Sequence, residues 1–399
     1  MHPAKRIHAA KSGKLRDKTI VLGVTGSIAA VETVKLAREL IRHGAHVVPV
    51  LSKDAMEIIH PNALQFATGR DPITRLDGTV PYIELVGTGG TADLVLIAPA
   101  TSNTIAKIAL GIDDTVVTTF AQNALGAGIP ILIAPAMHET MYANPLIAAH
   151  LRTLESHGVD IVTPKFEEDK AKLAEVDEIV ARVIRRLGGG PLAGKKVVVI
   201  AGATAEPIDD VRIVTNRSSG ETGLGLAQAA FELGADLEVW LGRHHVHVPP
   251  YLHPRTFETT ADLAAMASEM AADVCVVPAA ISDFAPVKAR GKIPSREGPV
   301  ALELHPTPKV LPALRRGAKV LVAFKAEADV SAAELRERAM GLLRGAELDF
   351  VVANDVAKVG KGRTSILILD REGRSAEHTG SKTDAADAIW RVVIHGIGE

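Results

Sequence analysis

The chain has 399 residues, of which 47% are hydrophobic and 23% are charged, with 45 Lys and Arg against 47 Asp and Glu. This length exceeds what one hydrophobic core usually serves, so we expect two domains. A net charge of −2 and an aromatic content of 3% argue against binding nucleic acid or an anionic membrane through the overall field of the protein. Cys275 is the only cysteine, which excludes disulfides and cysteine-based zinc sites.

Residues 1–17 are basic and polar, without the apolar segment of a signal peptide. The apolar runs, such as residues 93–98, have the length of a buried strand and fall far short of the roughly 20 residues of a membrane helix. We therefore expect a cytoplasmic protein.

Strands alternate with helices in the first half, the pattern of a parallel sheet covered by helices. Strands are predicted at residues 19–24, 46–51, 94–98, 130–134 and 160–162, and helices at about 27–43, 102–110 and 144–157. The run from Gly188 to Pro191 then breaks the pattern. We predict a first domain over residues 1–187, a linker over 188–194 and a second domain over 195–399.

The alternation restarts after this break. Strands are predicted at residues 196–201, 236–241, 274–277, 320–323 and 350–353, with a helix at about 222–233. A hairpin and a helix are predicted from Ser365 onward. Both halves are therefore of the α/β class.

Three loops of the first half follow strands and carry small polar residues. In the first, free backbone N–H groups and the positive end of a helix would face one point, where a phosphate fits, although a simple capping turn explains the same residues. Because the carboxyl ends of parallel strands share one edge, the three loops would line one crevice suited to a planar cofactor with a phosphate tail. The candidate residues are Gly26 and Ser27, then Thr101, Ser102 and Asn103, then Met137 and His138.

Two segments of the second half predict an anion site. Residues 214–223 carry Ser218, Ser219 and Gly220 before a helix, with Arg212 nearby, which suits a phosphate cradle or, alternatively, a serine-capped helix. Residues 278–284 include Asp283 and are followed by the cations of residues 288–292. A carboxylate beside cations suits Mg²⁺ with a triphosphate, whereas a solvated loop is the plain alternative.

Residues 23–30, 98–103 and 135–141 resemble the flavin-binding motifs of the homo-oligomeric FMN-dependent cysteine decarboxylases, and the residues beyond 195 resemble phosphopantothenoylcysteine synthetase. The order of the halves is similar to that of the bifunctional coenzyme A biosynthesis proteins, in an archaeal-like form, over about residues 19–390. The resemblance implies a flavodoxin-like FMN-binding domain followed by a Rossmann-like ligase domain. It also implies a homo-oligomer whose partners are small molecules.

The reactions implied by the resemblance are two. The ligase half would join 4′-phosphopantothenate to cysteine with CTP and Mg²⁺, through an acyl-CMP intermediate. The decarboxylase half would convert 4′-phosphopantothenoylcysteine to 4′-phosphopantetheine with FMN.

The resemblance also implies roles for single residues. Gly26 and Ser27 would hold the FMN phosphate, and Thr101, Ser102, Asn103 and Met137 would lie near the flavin and its ribityl chain. Asn216 would act on the acyl-phosphate, and Lys292 would aid transfer. The nucleotide and substrate would contact Gly202, Thr204, Arg212, Ser218, Ser219, Gly220, Ala279, Ala280, Asp283, Phe324, Lys325 and Asn354. Asp283 would also hold the metal.

The first half departs from the family pattern at two places. Tyr82 stands where the family has a catalytic His, and residues 164–170 lack the Cys that many members carry. Tyr82 and His138 are therefore our candidates for direct roles at the flavin. Three alternatives stay open: a ligase whose flavin domain has lost decarboxylation, a regulatory flavin-binding protein, and an NAD dehydrogenase.

Overall fold

A computed structural model describes residues 2–294, 301–355 and 363–398. The chain divides into two compact units, residues 1–189 and 190–399. The division falls within the glycine run of residues 188–190, while the domain limits at 187 and 195 stay a prediction. No helix among the described residues is long and apolar enough to span a bilayer.

Unit 1 is built on a five-stranded parallel sheet with the order β2-β1-β3-β4-β6. This is the flavodoxin-like order of a doubly wound sheet, and it confirms the predicted fold class of this half. The strands are β1 (Thr19–Val24), β2 (His46–Leu51), β3 (Leu94–Ala100), β4 (Ile131–Pro135) and β6 (Asp160–Ile161). A second, three-stranded sheet contains β5 (Met137–His138), β7 (Lys165–Glu167) and β8 (Lys170–Lys172).

Helices cover both faces of the unit 1 sheet, because alternate strand residues are apolar on both sides. In β1, Ile20 and Leu22 pack into one core and Val21 packs into the other. The helices are α1 (Pro3–Arg6), α2 (Thr33–Arg42), α3 (Lys53–Met56), α4 (Pro61–Thr68), α5 (Pro81–Val86), α6 (Ser102–Ala109), α7 (Val116–Ala127), α8 (Glu139–Tyr142), α9 (Pro145–Ser156) and α10 (Val176–Leu187), with a 3₁₀ helix at Ile28–Glu32.

Unit 2 is built on an eight-stranded sheet with the order β13-β12-β9-β14-β17-β18-β19-β20. The first six strands are parallel, and their order is the 3-2-1-4-5-6 of a Rossmann sheet, as predicted. The last two form an antiparallel hairpin. These strands are β9 (Lys196–Ala201), β12 (Asp236–Leu241), β13 (Arg255–Thr256), β14 (Ala272–Val277), β17 (Ala318–Glu327), β18 (Phe350–Asp355), β19 (Arg363–Asp370) and β20 (Ser375–Ser381).

Two short antiparallel pairs and five helices complete the described part of unit 2. The pairs are β10 (Ala205–Pro207) with β11 (Ile213–Thr215), and β15 (Phe284–Pro286) with β16 (Leu304–Pro306). The helices are α11 (Glu221–Glu232), α12 (Thr260–Ser268), α13 (Leu311–Gly317), α14 (Ala332–Gly345) and α15 (Lys382–Gly398), with a 3₁₀ helix at Pro250–Leu252. The core contains buried apolar residues of β9, β14, β17 and β18.

The strands predicted from the sequence are confirmed within a few residues, and β17 extends farthest beyond its predicted limits. The predicted helix over residues 27–43 is wrong in its first turn. A 3₁₀ helix occupies Ile28–Glu32 there, and the α-helix begins only at Thr33. The Ser27 side chain caps this 3₁₀ helix by accepting from the amide of Ala29.

Candidate active sites

A cavity of about 820 Å³ opens in unit 1 at the carboxyl ends of β1, β3 and β4. The strand order reverses between β1 and β3, and open α/β sheets bind ligands at that switch point. Its volume falls in the usual range for a site that binds a cofactor-sized molecule.

Thr25 joins the two loops that flank the switch point. Its buried hydroxyl donates to the carbonyl of Pro99 at 2.7 Å and accepts from the amide of Thr101 at 3.0 Å. Thr101 in turn caps α6 through its own hydroxyl. The polar ends of both loops are therefore held beside one another.

The first loop requires a glycine and leaves backbone donors free. A Cβ on Gly26 would lie 2.5 Å from the Cβ of Asp54, closer than side chains pack. The amide of Ser27 donates to Thr25 at 2.8 Å. Within the described part of the chain, the amides of Gly26 and Ile28 have no acceptor, so they are the donors available to an anion.

A hairpin of unit 1, formed by β7 and β8, lines the cavity opposite these loops. Its strand β8 pairs with β5, placing Ala171 beside Met137 and Lys170 beside His138. Lys172 donates hydrogen bonds to the carboxylates of Glu168 and Glu167, which raises the pKa of Lys172 and keeps that ammonium charged. No pattern in the sequence predicted this wall, because three-residue strands rich in Lys and Glu carry no apolar periodicity.

The structure brings together six of the seven candidate loop residues of this half. Gly26, Ser27, Thr101, Ser102, Met137 and His138 line the cavity. Asn103 is exposed on the first turn of α6 and does not line it. Tyr82 also lies outside the cavity wall, on α5, where its ring packs beside the apolar core that includes Phe120.

The residues of this cavity fit FMN. Its lining combines the amides of Gly26 and Ile28, which have no acceptor among the described residues, with the hydroxyl of Ser102 and the apolar side chains of Met137, Met141 and Ile28. Amides and hydroxyls suit a phosphate, and a thioether packs well against a flat aromatic ring. The cavity is thus suited to a planar group with an anionic tail.

In unit 2, the switch point lies between β9 and β14. Gly202, directly after β9, has a φ of +83°, and a Cβ there would lie 2.7 Å from the carbonyl oxygen of Arg243. Its own carbonyl accepts from the amide of Ala280 at 2.9 Å. The loops after the two strands are therefore in direct contact.

Thr204 lies beneath these loops and is fully buried. Its hydroxyl accepts from the amide of Ser282 at 2.9 Å and hydrogen-bonds the Ser282 hydroxyl at 2.9 Å. The hydroxyl of Thr260 donates to the buried carboxylate of Glu206 at 2.7 Å and lies 3.4 Å from the hydroxyl of Thr204. The hydroxyl of Thr204 therefore supports the shape of the site from below.

The third loop of this site leads into α11. The side-chain amide of Asn216 donates to the carbonyl of Ala280 at 3.2 Å, and Ser219 caps the amide of Glu221 at 3.3 Å. Gly220 has a φ of +81°. Among the described residues, the amides of Ser219 and Gly220 have no acceptor. They therefore indicate an anion site at the N-terminus of α11, a helix of 12 residues.

A cavity of about 490 Å³ in unit 2 includes four predicted residues in its lining, Ala279, Asp283, Phe324 and Lys325. Asp283 is exposed and pairs with Lys309 at 2.5 Å, a partner that the sequence analysis missed. A hydrogen bond from Lys325, at 3.0 Å, holds the pKa of Glu327 low. Both cations are thus already paired with carboxylates.

The remaining predicted residues lie outside that cavity lining. They are Gly202, Thr204, Arg212, Asn216, Ser218, Ser219, Gly220, Ala280, Lys292 and Asn354. Arg212 is paired with Asp209 at 2.7 Å, and Lys292 is exposed. The described residues contain no group of three or more His, Cys, Asp or Glu arranged to hold a metal ion.

Comparisons with known proteins match both units. Residues 8–188 match the Flavoprotein family, and residues 192–397 match the DNA/pantothenate metabolism flavoprotein C-terminal domain. A solved structure, that of the FMN-dependent cysteine decarboxylase SpaF, has 28% identity and a TM-score of 0.38, covering 43% of this chain and 98% of that one.

Two curated relatives extend over nearly the full length. Coenzyme A biosynthesis bifunctional protein CoaBC of Thermococcus kodakarensis is 45% identical, with 98% of both chains covered. The protein of the same name from Methanocaldococcus jannaschii is 40% identical, over 98% of this chain and 96% of its own length. The chain therefore belongs to the family of coenzyme A biosynthesis bifunctional proteins.

Proposed function

We propose that the chain catalyses two reactions of coenzyme A biosynthesis, ligation in unit 2 and decarboxylation in unit 1. The observation that carries this proposal is that each unit places, at the switch point of its sheet, backbone amides that find no acceptor within residues 2–294, 301–355 and 363–398. Such amides bind phosphate, and both FMN, the cofactor of decarboxylation, and CTP, the nucleotide of ligation, carry phosphate groups.

Ligation begins with the carboxylate of 4′-phosphopantothenate. One carboxylate oxygen attacks the α-phosphorus of CTP, which forms acyl-CMP and releases pyrophosphate. The amine of cysteine then attacks the acyl carbon, forming the amide and releasing CMP with loss of a proton. Asn216, Ser219 and Gly220 bind the acyl-phosphate, and Lys292 offsets the charge that develops during transfer.

The nucleotide contacts the loops after β9 and β14 and the neighbouring strands. Gly202, Ala279 and Ala280 allow its close approach, and Arg212 and Ser218 bind its phosphates. Phe324, Lys325 and Asn354 complete its site, and Thr204 holds the loops in place from below. Asp283 would be the protein ligand of Mg²⁺, an ion that commonly keeps phosphate and water ligands and would offset the charge of the triphosphate.

Decarboxylation takes place in the cavity of unit 1. Gly26 and Ser27 hold the FMN phosphate there, with Thr101, Ser102 and Met137 along the cofactor and Asn103 nearby. When bound, FMN would supply a two-electron oxidation of the cysteine end of the substrate that eases the loss of CO₂, and would then return the two electrons to the product, so that loss of CO₂ is the only net change. His138, exposed at the cavity wall, is within the site to move a proton.

A second candidate function is a ligase whose flavin domain no longer decarboxylates. The observation that favours it is the position of Tyr82, which replaces the expected His and lies outside the cavity wall. In the main proposal, the chain forms a homo-oligomer, and Tyr82 acts at a flavin site of that assembly. The oligomeric state and a cytoplasmic location belong to this proposal as well.

Separate assays of the two half-reactions test the proposal on the full chain. We expect release of pyrophosphate that requires CTP, 4′-phosphopantothenate and Mg²⁺, and loss of it in Asn216→Ala. We expect release of CO₂ from 4′-phosphopantothenoylcysteine, reduced in His138→Ala and in Tyr82→Phe. Ligation without any release of CO₂ would favour the second candidate instead.

A further inference from the structure

Residues 288–293, the Lys292 segment, are held by the loop of residues 208–212, which lies about 80 residues earlier in the chain. The carbonyl of Ile208 accepts from the amide of Ala289 at 2.8 Å, and the amide of Asp210 donates to the carbonyl of Gly291 at 3.4 Å. Lys288 pairs with the carboxylate of Asp210 at 2.8 Å. The segment is therefore attached along its length.

Two aspartates hold the residues on either side of Lys292. The amide of Gly291 donates to Asp210 at 3.1 Å, and the amide of Ile293 donates to Asp209 at 3.1 Å. The ammonium of Lys292 itself is exposed and makes no hydrogen bond or ion pair with any residue that the structure describes. The backbone is fixed while the charged group stays available.

Asp209 is the centre of this attachment. Its side chain is fully buried and also accepts from the amides of Val211 and Arg212, at 2.8 and 2.7 Å, and from the Arg212 guanidinium at 2.7 Å. The same guanidinium donates to the carbonyl of Ile293 at 3.2 Å. Burial opposes ionisation of Asp209, but these donors lower its pKa to about 2.

We infer that Asp209 is a positioning residue for ligation, which fixes the backbone at Lys292 so that the ammonium reaches the transferring group. This inference rests on the proposed role of Lys292. Asp210 supports the same segment from its other end. Hydrogen bonds to a charged carboxylate fix the position of the backbone amides that donate them. A small displacement of a reacting group has a large effect on rate.

Limited proteolysis with trypsin tests the attachment without any assay of activity. In Asp209→Asn, the new amide NH₂ cannot accept from Ile293, so we expect faster cleavage after Arg290 and Lys292 than in the unaltered chain. Asp273→Asn is the matched control, because Asp273 also accepts a backbone amide and pairs with a lysine, at the opposite end of the sheet. Equal cleavage rates in the Asp209 variant and the control would overturn the inference.

Ligation kinetics test the link to Lys292. We expect Asp209→Asn to lower kcat about 10- to 100-fold with little change in the KM for CTP. In a Lys292→Ala background the same change should have almost no further effect, since the group it positions is gone. Multiplicative losses in the double variant would contradict the inference.

Asp210→Asn provides a milder variant should Asp209→Asn fold poorly, and it should show the same two effects at smaller size. If Lys292→Ala alone ligates at the normal rate, the role proposed for Lys292 fails. The inferred positioning role then fails with it, and faster cleavage in Asp209→Asn would show only that the attachment exists. A normal ligation rate in Asp209→Asn, with Lys292→Ala impaired, overturns the inference alone.

Discussion

The two units differ in how they arrange the residues that we propose bind a phosphorylated ligand. In unit 1, one cavity of about 820 Å³ gathers six predicted residues. Unit 2 distributes its predicted residues between a group of contacting loops and a cavity of about 490 Å³. An apolar ring needs an enclosed wall, whereas a triphosphate needs donors and cations on several loops.

This difference is visible in the buried polar groups. In unit 1, one threonine, Thr25, joins two loops. In unit 2, three buried side chains connect separate segments: Thr204 bonds Ser282, Glu206 bonds Thr260, and Asp209 bonds Ile293. Loops that carry charge must be fixed by hydrogen bonds, because they have little apolar surface to bury.

The largest expected effect concerns the cavity of unit 1. In Gly26→Ala the new Cβ would lie 2.5 Å from Asp54 and displace the loop. We expect FMN binding to weaken by about 5- to 150-fold, since overpacking costs about 1 to 3 kcal/mol. Titration of the apoprotein with FMN, followed by flavin fluorescence, measures it.

Gly126→Ala is the matched control, because Gly126 lies in α7 with open space around its Cα. It should bind FMN as the unaltered chain does. Normal affinity in Gly26→Ala would show that the loop adapts to the added Cβ. It would contradict the role given to this loop in the cavity of unit 1.

The next effect concerns the loop contacts of unit 2. Thr204→Val keeps the shape of the side chain but leaves the amide of Ser282 without an acceptor. We expect a loss of about 1 to 3 kcal/mol in stability and about tenfold slower ligation, with decarboxylation unchanged. Thr379→Val, at an exposed strand position, should change neither rate. A Thr204→Val chain with full ligase activity would contradict the supporting role of this hydroxyl.

A third expectation concerns the pH dependence of unit 1. Burial, together with the charge of Lys11, lowers the pKa of His43 from 6.5 to about 4. The unfolded chain then binds more protons between these values, so stability is retained above pH 6.5 and lost as the pH falls toward 4, by about 2 to 3 kcal/mol. Thermal unfolding at several pH values measures this loss.

His43→Gln should flatten the dependence, whereas His157→Gln, on an exposed surface, should preserve it. An identical pH profile in His43→Gln and the unaltered chain would rule out this histidine as the cause.

The smallest effect concerns Cys275, which reports on unit 2 alone. Burial strongly raises the pKa of its thiol. We expect no reaction with a thiol reagent in the native chain and one labelled site after denaturation, read by mass spectrometry. Rapid labelling of the native chain would show that β14 opens more readily than its packing implies.

The sequence predicted the sheets well, because apolar strands and the loops that follow them have strong local patterns. Gly26, Thr101 and Met137 could be placed on one edge by this reasoning alone. The same reasoning did not predict the contacts of Asp209 and Lys309 or the hairpin of residues 165–172. Asp209 meets Ile293 across 84 residues and Lys309 meets Asp283 across 26, and no local pattern encodes such a contact.

Roles within the site were harder to predict than positions. Thr204 follows a strand, as a ligand-binding residue would, yet its hydroxyl is turned into the protein. Arg212 looks like a phosphate ligand, yet its guanidinium also holds Ile293. Side-chain direction depends on packing that only the folded chain provides.

The most direct test of the two-site account is one reaction mixture with the purified full chain, FMN, Mg²⁺, CTP, cysteine and 4′-phosphopantothenate. Pyrophosphate and CO₂ are measured together over time. The account predicts that both appear, with CO₂ approaching one equivalent per pyrophosphate after a lag. Pyrophosphate release with no CO₂, or neither product, would contradict it.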